Sequence, residues 1–250
     1  MEVYTEEEAR KQAARPALTG NMAVAKVYLW FALGIFLSGV MALGYPYLIT
    51  AIYGSANEEA LGAYITSLIV FTALMLPLGF ACNISSLAQH SAWITTFYIL
   101  YAICVGGAFS TITLFLDMSA LLYAFLVTAG TFLLMGLIGV WTNGRIGKAL
   151  IYLIGIVFGL IVISLFNILL FGGYANSGIY WITSILIFAI YLILAAVDTN
   201  RVIKTANGHG FDDNNTLVIY AAYSLYSDFV IIFYYIVRLM IILGIGSNKN

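Results

Sequence analysis

Charge is what this chain of 250 residues has least of: Asp, Glu, Lys and Arg together make up 8% of it. A soluble domain carries roughly 25%. With 63% of positions apolar and a mean hydropathy of +1.01, too little polar surface is left to wet a globule. The apolar residues must face lipid, which makes the chain an integral membrane protein. Ten basic and eleven acidic residues nearly cancel and form no long run of one sign, so there is no electrostatic footprint for nucleic acid. Cysteine is scarce too. Cys82 and Cys104 fall within apolar segments, where a thiol behaves as a small hydrophobe rather than as half of a disulfide framework. Two histidines, His90 and His209, cannot make a histidine-rich metal site, and no CxxC, HExxH or GxGxxG occurs. Gly139 to Gly144 has the glycine spacing of a phosphate loop, but Arg145 and Ile146 stand where lysine and a hydroxyl residue are required. An ordinary loop is expected there.

Long apolar runs dominate what remains. Seven of them, of about the 20 residues that cross a hydrocarbon core, lie near 27–50, 61–82, 93–115, 119–141, 149–171, 179–203 and 216–243. They are too continuous for barrel strands, which need about ten residues of alternating character. The expectation is an all-α integral membrane bundle of seven transmembrane helices. Short connectors such as Leu116–Met118 and Gly172–Gly178 leave no room for an extramembrane domain, so one domain, 26–245, is expected between a polar tail, 1–25, and a short ending, 246–250. Glu6, Glu7 and Glu8 stand where a secretory leader would be basic, so the tail is expected to be retained. Lys and Arg are held on the cytoplasmic side. They occur as Arg10, Lys11, Arg15 and Lys26 before the first run, Arg145 and Lys148 in the fourth connector, and Arg201 and Lys204 at the sixth. The N-terminus is therefore expected inside and the C-terminus outside. Small residues, including Gly34 with Ser38, Gly106 with Gly107, Gly155 with Gly159, Gly130, Gly136 and Gly139, suit close helix packing in lipid, with a hinge or pore-lining role as the alternative. The aromatic residues divide between interface anchors, Trp30, Trp141 and Trp181, and interior packing.

Function in a membrane protein is best sought at ionisable groups within spans, each costing about 2.5–3.5 kcal/mol at a helix centre on insertion scales. Asp198, Asp228 and Arg238 qualify. Arg238 lies near the end of its span, where it can snorkel to the interface, and Asp198 is one turn from Arg201, a pairing that would explain it structurally. Asp228 is harder to account for in that way. Tyr220, Ser224, Asp228, Tyr235 and Arg238 recur at helical spacing, a stripe that is either a buried hydrogen-bonded seam or the wall of an aqueous path. If the seventh helix begins at Tyr220 or Ala221, the two aspartates lie at equal depth and face one another; if it begins at Asn215, Asp228 lies deeper. Two carboxylates held close at low dielectric cannot both ionise cheaply and tend to share a proton. Bridged, such a pair ties two helices together; ionised, it repels or attracts a cation, and calcium favours oxygen ligands of this kind. Glu58 and Glu59, at the outer mouth of the second span, are solvated helix-start acids in the plainer reading and concentrators of cations in the other.

At the same residues the sequence resembles the Bax inhibitor-1 family, the transmembrane Bax inhibitor motif proteins. Ile187 to Ile203, with Asp198-Thr199-Asn200-Arg201, looks like that family's sixth-helix signature. Ala222 to Leu239, with Leu225-Tyr226-Ser227-Asp228-Phe229 and then Arg238, is similar to its last helix, and Thr142 to Lys148 through Ser164 to Asn167 to its fourth connector and fifth helix. The resemblance spans most of 25–245. It implies a seven-helix bundle with the last helix near the centre, acting as a pH-sensitive calcium leak in which Asp198 and Asp228 serve as the proton-sensing latch and as transient calcium ligands. Arg201, Ser224, Tyr235, Arg238 and His90 are candidate supports. No resident cofactor is implied; calcium ions and protons are the expected partners besides lipid. Some relatives place arginine at the end of the second helix, where Leu78–Ala92 offers only Asn83, Gln89 and His90, and Asn200 stands where glutamine is usual. The ending Gly246–Asn250 lacks the lysine-rich tail of many animal relatives, which favours a prokaryotic plasma membrane.

Two other classes compete. An intramembrane aspartyl protease also pairs carboxylates on its sixth and seventh helices to activate water. Such enzymes carry Tyr-Asp, Gly-x-Gly-Asp and Pro-Ala-Leu, whereas here the pairs are Val197-Asp198 and Ser227-Asp228 and the prolines are Pro16, Pro46 and Pro77. The expectation is therefore of no enzyme. A non-catalytic regulator of a membrane protease or of a stress or death pathway is the other alternative, and no residue identifies its partner.

Overall fold

The computed structural model describes residues 20–54, 58–87, 91–114, 116–141, 177–207 and 215–243. Helices are α1 (Gly20–Tyr53), α2 (Glu58–Leu87), α3 (Ser91–Phe109), α4 (Met118–Trp141), α5 (Ser177–Asn207) and α6 (Asn215–Leu243), with a 3-10 turn, Ser110–Leu114, extending α3. All six are long and apolar enough to cross a membrane. In lipid every backbone N–H and C=O must be satisfied within the segment, which is why such runs become helices. The elements α1 to α4 coincide with the first four expected spans, and α5 and α6 with the sixth and seventh. The fifth expected span, 149–171, with Gly155 and Gly159, lies outside the described residues.

α6 touches each of the other five helices. In its most apolar stretch 61% of residues are buried, against 17% in α1, α2 and α4, so α6 is the innermost of the described helices. Its inner face packs in two places. Phe229 meets Phe31, Phe125 and Phe132 at ring-centroid distances of 5.7–5.8 Å, and Phe31 stacks on Phe132 at 5.2 Å. Tyr223 and Tyr226 meet Tyr98 and Tyr101 edge-on. Half-buried Trp30 packs against this interior: its ring lies edge-on to Tyr98, and its carbonyl accepts the Tyr98 hydroxyl at 2.9 Å.

A polar seam crosses the middle of the bundle. Ser38 Oγ on α1 lies 2.8 Å from Gly34 O and 3.0 Å from Ala102 O, carbonyls that share its proton, and also bonds the Tyr226 hydroxyl of α6. Buried hydroxyls satisfied in this way tie three helices at one level. The expected glycine packing at Gly34, Gly106 and Gly107 is present, since a Cβ at any of them would overlap a neighbouring helix. Gly130 differs: nothing lies within 4 Å of the position its Cβ would take. Cys82 and Cys104 are buried free thiols.

α1 ends on Gly54, whose φ of 78° is left-handed and whose N–H bonds Thr50 O at 3.0 Å. This is the αL cap that glycine accepts without a Cβ penalty. Gly54→Ala is expected to lower stability by about 1 kcal/mol, visible as a lower midpoint of thermal unfolding in detergent; an unchanged midpoint would mean that the cap is dispensable.

Candidate functional site: the paired acids of α5 and α6

α5 and α6 run antiparallel, since Asp198 meets Ser224 at one level and Phe188 meets Tyr235 at another. α6 begins at Asn215, the deeper of the two starts considered above. At about 1.5 Å per residue, Asp198 lies about 14 Å from the end of α5 and Asp228 about 20 Å from the start of α6. The acids are therefore offset by one turn, and the residue of α6 level with Asp198 is Ser224.

Asp198 is well held. Ser224 Oγ donates to its Oδ2, and Arg201 Nη1 lies 3.6 Å from its Oδ1 across one helical turn. The expected pairing with Arg201 is thus present, with the guanidinium reaching outward at 60% exposure while the carboxylate keeps 16%. Asp228 is held by much less. It is 6% exposed, and its Oδ2 is buried with no hydrogen-bond partner. Among the described residues no hydrogen bond joins the two carboxyls, yet Asp198 and Arg201 are the charges that act on Asp228 through space. Tyr191, on the α5 face that carries Asp198, is within electrostatic reach of Asp228 as well. Sequence reasoning passed over Tyr191, although its i, i+7 spacing to Asp198 places both on one face.

The remaining candidates separate from this centre. Arg238 lies over the Tyr235 ring at 5.9 Å, nearer the far end of α6. Glu58 and Glu59 are exposed in the first turn of α2, where acids suit the helix dipole. They sit at the opposite end of α2 from Asn83, whose Oδ1 accepts the Tyr220 hydroxyl at 3.0 Å near the start of α6. Asn83 thus links the end of α2 to α6 through a neutral hydrogen bond. His90 lies outside the described residues.

Chemically the centre is a fixed carboxyl one turn from an unpartnered one. An acceptor buried without a partner costs about 1–3 kcal/mol, and the missing partner is one that a shared proton or an oxygen-seeking cation would supply. Among the described residues no three or more His, Cys, Asp or Glu side chains converge.

The chain is 27% identical over 245 residues to an uncharacterised protein of Borreliella burgdorferi, covering 96% of this chain and 97% of that one. A Deinococcus radiodurans protein is 27% identical over 229 residues, covering 91% and 90%. The inner membrane protein YbhL of Escherichia coli is 24% identical over 222 residues, covering 86% and 89%. The family described as inhibitor of apoptosis-promoting Bax1 matches residues 20–248, a stretch that takes in every helix described above and both acids. A multi-pass helical membrane protein with this match belongs to the Bax inhibitor-1 family.

Proposed function

We propose that the protein is a pH-sensitive passive leak for cations, calcium first among them, gated by Asp198 and Asp228. The observation that carries this reading is the buried Asp228 Oδ2 without a partner, one turn from a carboxyl that is already held. A proton shared between the acids draws α5 and α6 together; its loss leaves two like charges that part or recruit a cation. Two carboxyls are fewer oxygens than the six to eight of a resident calcium site, which suits an ion in transit. Glu58 and Glu59 raise the cation concentration at the other mouth. The proposal includes a seventh crossing at 149–171, the tail 1–25 inside, the C-terminus outside, and, as for the Escherichia coli relative, the inner membrane of a bacterium.

Proteoliposomes containing this protein alone and a calcium-sensitive dye provide the test. Calcium influx should vary with pH, and Asp198→Asn or Asp228→Asn should flatten that dependence. Folded, correctly oriented protein that passes no calcium would overturn the leak and favour a regulator. Cleavage of a transmembrane peptide that is lost with either aspartate would overturn it in favour of a protease.

A further inference from the structure

On the side of α6 away from Asp198 is a cavity of about 350 Å³, within the range of about 300–1,000 Å³ for small-molecule sites. Its floor is α6 itself, at Tyr226, Phe229, Val230 and Phe233. Its walls are α1 and α4, with Val105 and Phe109 of α3 behind them; α1 and α4 touch at Phe31 and Phe132 but make few other contacts, which leaves the space between Ile35–Leu43 and Met118–Phe125 open. Residues at that opening are exposed and apolar: Leu43 at 44%, Leu122 at 58% and Phe125 at 37%. Each wall lies within a stretch long and apolar enough to cross a membrane, Met22–Tyr53 or Met118–Ile138, so among the described residues the opening is apolar and lies at the depth of hydrocarbon.

We infer that this cavity binds one acyl chain of a membrane phospholipid, inserted sideways between α1 and α4. Water has too few polar partners among these residues to occupy it. The α1 wall from Ile35 to Leu43 runs about 12 Å along the helix axis, so it suits a slender chain rather than a side chain. Ser119 and the exposed Asp117 lie at one end of the cleft, where a polar headgroup would stay wet. Gly39 makes the space available. Nothing lies within 4 Å of the position its Cβ would take, so a larger side chain there enters the cleft without displacing protein. The occupant rests on the face of α6 opposite the paired acids and is independent of whether they gate an ion.

A photoreactive p-benzoylphenylalanine at Leu122, in full-length protein in phosphatidylethanolamine and phosphatidylglycerol nanodiscs, tests this by intact-mass spectrometry after irradiation. An adduct of one phospholipid mass is expected, and it should be lost when Gly39→Phe fills the cleft. Photoreactive side chains at Leu133 and Leu134, exposed on α4, report the general lipid surface and should be unaffected by Gly39→Phe. A cross-link to a second copy, a cross-link to another segment of the same chain, no adduct, or a lipid adduct that Gly39→Phe leaves intact would each overturn the proposal. If Gly39→Phe does not fold, Gly39→Leu takes its place with the same expected loss.

Discussion

Gly106→Ala is expected to lower stability sharply, and Gly106→Leu to prevent recovery of a folded, monodisperse protein. A Cβ at Gly106 would lie 2.4 Å from Ser38 O, 2.7 Å from Met41 Cβ and 2.8 Å from Ser38 Cα. Two of these atoms are backbone, so no rotamer change relieves the overlap; α1 and α3 must move apart. That movement breaks the Ser38–Ala102 hydrogen bond and loosens the grip on Tyr226. Overpacking costs about 1–3 kcal/mol, and each stranded hydroxyl adds about 1–3 kcal/mol. Gly130→Ala is the control, because its Cβ meets open space. Thermal unfolding in detergent should separate the two alanine variants; equal midpoints would show that α1 and α3 are not in backbone contact.

The second large effect has the opposite sign. Asp228→Leu is expected to stabilise the fold by about 1–3 kcal/mol, the penalty of a buried acceptor with no partner, since apolar groups of similar volume often replace buried ionisable groups at no loss. Asp198→Leu is expected to destabilise. It leaves Ser224 Oγ without its acceptor and Arg201 without its counter-ion inside one helical turn. Unfolding of both variants, measured in the same detergent, tests the asymmetry. If both shift stability the same way, the two acids are equivalent and the contrast drawn between them is wrong. A stabilised Asp228→Leu protein whose pH response is also flat would place the acid among residues retained for activity at a cost in stability.

Most of the architecture was legible before any coordinates, because a lipid-crossing helix announces itself by length and composition alone. Six described helices fall on six of the expected runs, and the pairing of Asp198 with Arg201 follows from spacing within one helix. Contacts between helices were less accessible. The offset of Asp198 and Asp228 depends on where α6 begins, and apolar residues on both sides of Tyr220 leave that start unmarked. Ser224 is visible as part of a polar stripe, but its bond to Asp198 requires the rotation of α5 as well as of α6. The contact of Trp30 with Tyr98 joins residues far apart in sequence, which residue type alone does not reveal. The cleft between α1 and α4 could not be foreseen either: it arises where two helices that touch at Phe31 and Phe132 make no further close packing, and no local pattern encodes that.

During synthesis, the helix that contacts the five others emerges after them. α1 to α5 thus enter the bilayer before their common partner exists, and the surfaces that later receive Tyr226, Phe229 and Ile232 are held in the interval by lipid or by provisional contacts with one another. Biogenesis is back-loaded: a chain stalled before residue 215 lacks the one helix that packs against the five other described ones.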